Sequence, residues 1–200
     1  MGRGLRIGLF FATVASFVPA NAWADQPGTP TVRLVLHDSA GIAEAIRSEA
    51  GEFSAQVFRS AGIDLVIDDA MACPASGDSR GFCVQVLLRP RDAQFQPGKV
   101  RTMGVALAAD QNRAVVSVYL DAVTDVARRY GQPLGKVLGV ALAHEIGHVL
   151  LPPPSHSATG IMQPSWEGDA LRHAIAGEIA FTPHQSAQMR ERLTNRVALK

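Results

Sequence analysis

The sequence predicts an α+β fold: about five strands with one helix after the first, followed by a helical second half. Three observations predict it. Short β-branched runs bounded by turn residues end at Leu120. One long stretch of helical apolar spacing separates the first of these runs from the rest. Beyond Leu120 the apolar spacing is helical and is broken by glycine and proline.

Thr31 to Leu36, a β-branched and leucine run, is the expected first strand. His37, Asp38 and Ser39 offer N-caps for a helix from about Ala40 to Ala61, along which Ile42, Ala45, Ile46, Phe53, Val57 and Phe58 recur at helical spacing. Gly62 closes that helix, and Ile63 to Ile67 is the second strand. Phe82 to Leu88 is the third. Arg101 to Ala108 and Ala114 to Leu120 are the fourth and fifth, joined by the turn residues Ala109 to Arg113. A helix is expected over Ala122 to Tyr130, then a break at Gly131 and Pro133, then a helix from Leu134 to Leu151. Pro152, Pro153 and Pro154 cannot continue it. Thr182 and Pro183 suit N-cap and first turn of a last helix to about Val197.

At 200 residues the chain is long enough for one domain with an ordinary core. Its 19 basic and 18 acidic side chains leave a formal charge of +1, which gives no support to a nucleic-acid partner. With 47% hydrophobic and 18% charged residues it is globular rather than disordered.

The first segment reads as an address. Arg3 and Arg6 precede an apolar stretch from Ile7 to Val18, then Pro19, then Ala22-Trp23-Ala24 before Asp25. That is a basic region, a short apolar region and a small-x-small cleavage site, so residues 1–24 are expected to be a signal peptide and 25–200 one exported domain, periplasmic or extracellular. No later stretch suits a membrane span, so no membrane contact is expected after cleavage. In an oxidising compartment Cys73 and Cys83, which bracket Pro74, Gly77, Asp78 and Gly81, are expected to close a turn by a disulfide.

The chemistry sits in His144-Glu145-Ile146-Gly147-His148. Residues i and i+4 lie about 40° apart around a helix, so both imidazoles leave one face and can share a metal ion. Glu145 is placed to act as general base on a metal-activated water and then as acid toward a leaving amine. Two histidines satisfied within a core would be the alternative, at the cost of burying them with a glutamate. A catalytic zinc takes three protein ligands and one open position. His156, beyond the proline break, approaches from another direction and is the best third. Gly135, Gly139, Ala143 and Gly147 form a small-residue ridge expected to bring this helix close to the sheet.

His144 to Pro164 is similar to the zinc-binding stretch and Met-turn of the metzincin metallopeptidases, in particular the matrixin-like group and small secreted bacterial members. The parts that match are HExxH, a third histidine followed by Ser157, and Gly160-Ile161-Met162-Gln163-Pro164. The resemblance implies a mixed, twisted sheet of about five strands with a backing helix and an active-site helix, then a small C-terminal subdomain with the Met-turn and a terminal helix. It also implies one zinc ion on His144, His148 and His156, Glu145 as general base, and Met162 beneath the metal. Val105, Ala106 and Leu107 would form the edge strand on which a peptide adds antiparallel. One departure is plain. His156 lies twelve residues after His144 where the family's HExxHxxGxxH spacing gives ten, and Leu151 stands at the glycine position.

The expected function is therefore a secreted zinc-dependent endopeptidase acting on a peptide or protein substrate. Two alternatives stand beside it: a zinc peptidase whose third ligand is a downstream carboxylate, Glu167 or Glu178 and more distantly Asp169, and a zinc-bearing binding domain without turnover. An intact Glu145 speaks against the latter. His37, His173 and His184 read as surface or capping residues, and Trp166 as either pocket wall or core.

Overall fold

β1 (Thr31–Asp38) lies between β2 (Asp64–Asp68) and β3 (Phe82–Arg89) and runs parallel to both. β5 (Arg113–Tyr119) continues the sheet parallel to β3, and β4 (Gly104–Ala109) closes it antiparallel at the far edge. The order is β2-β1-β3-β5-β4. These elements come from a computed structural model, which describes residues 28–68, 72–73, 81–90, 102–109 and 112–198. The expected signal peptide, Arg101 and the centre of the turn between β4 and β5 lie outside the described residues.

Parallel neighbours need a crossover, and α1 (Glu44–Ser60) supplies it between β1 and β2. Its start differs from the sequence expectation. The Asp38 carboxylate accepts hydrogen bonds from the backbone amides of Ala40, Gly41 and Ile42 at 2.9, 2.8 and 2.8 Å. Gly41 takes φ +71°, which no helix continues, so the capping group is spent on a turn and the helix begins at Glu44. Gly62, at φ +73°, ends α1 as expected.

Alternate strand residues build the core: Val32 and Leu34, Val84, Val86 and Leu88, and Val116 and Val118 are all fully buried in one cluster with the helices. α2 (Leu120–Tyr130) stops at Gly131, a left-handed C-cap, and α3 (Leu134–Leu150) follows, buried along almost its whole length. The small-residue ridge of α3 packs through Gly135 and Gly139 against α1 rather than the sheet, and through Gly147 against Met162 and Phe181. A Cβ at Gly139 would lie 2.9 Å from both the Ala50 carbonyl oxygen and Phe53 Cβ. Ser54 Oγ donates across the same contact to the Gly139 carbonyl at 3.1 Å.

α4 (Gly168–Ile175) was not expected from the sequence, because only Leu171, Ala174 and Ile175 mark its buried side over two turns. α5 (Pro183–Ala198) begins with a reciprocal cap: Gln185 N donates to Thr182 Oγ1 at 3.2 Å, and Thr182 N donates to Gln185 Oε1 at 3.1 Å. Cys73 and Cys83 form a disulfide with Cα atoms 5.8 Å apart, joining β3 to the segment after β2. No helix among the described residues is long and apolar enough to cross a membrane.

Candidate metal centre

The helical period brings His144 and His148 together on α3, with their Nε2 atoms 3.1 Å apart. Each ring is held from behind. His144 Nδ1 donates to the carbonyl of Ile161 at 2.8 Å, and His148 Nδ1 lies 2.6 Å from Ser155 Oγ. Because a carbonyl only accepts, His144 Nδ1 carries the proton and its lone pair sits on Nε2, facing His148. His156 completes the group, its ring centroid 5.4 Å from that of His144 and 4.8 Å from that of His148. One nitrogen from each of the three falls within 4.8 Å of the others. Two nitrogens on a tetrahedral zinc at about 2.0–2.1 Å stand roughly 3.3 Å apart, close to the spacing of the helical pair.

Burial sets the electrostatics. It lowers the pKa of His144, against the opposing Ile161 hydrogen bond and with the help of His156. It lowers His148 further, to about 4, with the charges of His144 and His156 adding to the effect. Both rings are therefore neutral near pH 7, the form that ligates metal. Glu145 is 6% exposed, and burial pushes its carboxyl up to about 7.

Glu145 faces β4. A Cβ on Gly104 would lie 2.5 Å from Glu145 Cγ, so the first residue of the edge strand sits directly against the glutamate. A cleft runs over this place, lined by Gly104, Val105, Ala106, the three histidines and Trp166 among others. Leu107 behaves differently from Val105 and Ala106. The pairing of β4 with β5 shifts between Ala106 and Ala108, and Leu107 is 51% exposed and not part of the cleft lining.

Met162 is fully buried and packs on α3 where Gly147 leaves room; a Cβ there would be 2.4 Å from the Met162 sulfur. Gly160, at φ +84°, lets the preceding turn pass the Ala180 carbonyl, which a Cβ would meet at 2.6 Å. Trp166 is both wall and core: it lines the cleft, is 8% exposed, and meets His144 edge-on at 6.5 Å.

A comparison with protein-family models finds no match, and neither does one with curated proteins. Among solved structures the chain is similar to archaemetzincin from Methanopyrus kandleri, with 18% identity and a TM-score of 0.46 over 84% of this chain and 98% of that one.

The carboxylates considered as third ligands do not join the histidine group. Glu178 pairs with His173, and Asp169 pairs with Arg172. Glu167 is exposed on the cleft wall. His173 and His184 are exposed, but His37 is neither a surface nor a capping residue. It sits half-buried in β1, and its Nε2 is enclosed without a partner among the described residues. A strand-end position in sequence turned out to be inside β1, because β1 runs on to Asp38. Sequence reasoning missed Gly104, Ser155 and Gln185. Thr182-x-x-Gln185 is visible as a capping pattern, but nothing local shows where the Gln185 amide points.

Proposed function

We propose that the chain is an exported zinc-dependent endopeptidase of metzincin type. The observation that carries the reading is the meeting of three imidazole nitrogens within 4.8 Å beside a buried glutamate and under the edge strand of the sheet. An all-imidazole set with both helical rings neutral suits zinc, and three protein ligands leave one position open. When bound, the ion supplies Lewis acidity toward a scissile carbonyl and toward water in the cleft.

The protein's own residues do the rest. Ile161 fixes the tautomer of His144, and the Ser155 hydroxyl orients the ring of His148. Glu145, buried beside the histidines, is placed to take a proton from the attacking water and return it to the departing amine. Val105 and Ala106 offer a strand edge on which a substrate backbone pairs, which orders the peptide without reading its side chains. Met162 is the apolar floor of the site, a packing residue and not a ligand. The Cys73–Cys83 disulfide supports an oxidising compartment, in keeping with residues 1–24 as a signal peptide.

A peptide-library digest by residues 25–200 tests the reading. Cleavage abolished by a chelator, restored by zinc and lost in Glu145→Gln with zinc still bound supports it. Zinc bound with no cleavage by the wild type makes the chain a binding domain instead.

A further inference from the structure

We infer that Gln185 is a positioning residue for the metal centre, holding His156 and His148 in place through the two residues that flank His156. The inference rests on the zinc reading above. The ring of His156 is exposed and has no hydrogen bond to a described residue, so its direction follows from the backbone on either side of it. That backbone belongs to a loop between α3 and α4 with no regular structure.

Gln185 is 6% exposed and spends its whole amide. Its Oε1 accepts from Thr182 N at 3.1 Å, which is the capping role. Its Nε2 is not needed for that. It donates to the Ser155 carbonyl at 3.1 Å and to Ser157 Oγ at 3.1 Å, the residues immediately before and after His156. Ser155 also holds His148 Nδ1 through its hydroxyl at 2.6 Å, and Ser157 N donates to the Met162 carbonyl at 2.9 Å. One buried amide thus fixes the backbone of the third histidine and the hydroxyl behind the second. Outer-sphere groups of this kind typically change metal affinity by about 10–100-fold when removed.

The experiment compares the wild type with Gln185→Glu, Ser157→Ala and Thr182→Ala. Glutamate keeps the shape and the capping acceptor but turns an acceptor oxygen toward Ser155. Ser157→Ala removes one arm of the clamp and leaves the helix cap intact. Thr182→Ala removes a cap bond and leaves both Nε2 bonds. Three quantities are read: zinc affinity by chelator competition, the visible spectrum of the cobalt-substituted protein, and the melting temperature without metal. The expected result is zinc affinity about 10–100-fold weaker in Gln185→Glu, with a cobalt spectrum shifted toward that of His156→Ala. Ser157→Ala shifts affinity in the same direction by a smaller factor. Thr182→Ala lowers the metal-free melting temperature and leaves affinity within about twofold. Equal affinity in Gln185→Glu and wild type overturns the inference, as does an equal loss in Thr182→Ala. If Gln185→Glu does not fold, Ser157→Ala decides by the same comparison. Absence of zinc binding by the wild type overturns the zinc reading along with it.

Discussion

Gly104 leaves open the space that the side chain of Glu145 fills: a Cβ on the glycine would stand 2.5 Å from Glu145 Cγ and 2.8 Å from its Cδ. The same Cβ would meet the Ser117 carbonyl oxygen at 2.9 Å, so it has no direction in which to yield. Gly104→Ala is therefore expected to push the carboxylate out of line. A displacement of about 1 Å at a reacting group costs on the order of 100-fold in rate. Peptidase assay and zinc analysis on one preparation check it: turnover falls about that much while zinc content stays at the wild-type level.

Glu145 and His148 give the metal-free protein opposing pH dependences. Glu145 binds its proton more tightly when folded, with a pKa raised from 4.5 to about 7. Its contribution to stability is full below pH 4.5 and is lost as pH rises through 7. His148 is lowered from 6.5 to about 4, so its contribution is full above pH 6.5 and is lost as pH falls toward 4. Glu145→Gln removes the first dependence only. The metal-free variant gains stability relative to wild type as pH rises from about 4.5 to 7, by on the order of 3 kcal/mol, and the difference is level above that. Melting curves of both proteins across this range measure it; a difference that does not vary with pH contradicts the burial of Glu145.

Gly139 sets the distance between α1 and α3. With the Ala50 carbonyl and Phe53 Cβ both at 2.9 Å from an added Cβ, Gly139→Ala must spread the helices. The alanine gains helix propensity of roughly 1 kcal/mol, and overpacking costs about 1–3 kcal/mol, so the variant is expected to be less stable. Urea denaturation gives the sign directly.

The Cys73–Cys83 bridge closes a short loop, for which chain entropy accounts for about 2–3 kcal/mol. The double serine variant is expected to lose that much stability. Zinc affinity is expected to stay unchanged, because neither cysteine is among the residues lining the cleft.

The succession of strands and helices along the chain was largely legible because period and turn residues are local signals, whereas the order of strands within the sheet was not read from them. Thr31, Phe82 and Pro183 begin their elements in the structure as in the sequence reading. The His144–His148 pair was legible for the same reason, as the helix alone dictates it. What escaped was whatever depends on a distant partner. Asp38 looked like a helix cap and instead closes a turn on Gly41. The ridge at Gly139 announced a close approach but not that α1 would be the neighbour. Leu107 leaves the cleft through a register shift that no local pattern marks. The Gln185–Ser155 bond spans 30 residues of sequence, and only the packing of α5 against the loop reveals it.

The central claim is a three-histidine metal site, and the zinc content of residues 25–200 beside the His156→Ala variant tests it most directly. One zinc per chain in the wild type, lost or much weakened in the variant, is the predicted result. Zinc retained in full by the variant would contradict it and move the third ligand elsewhere, with Glu167 on the cleft wall the first place to look. No zinc in either protein would contradict the metal site itself.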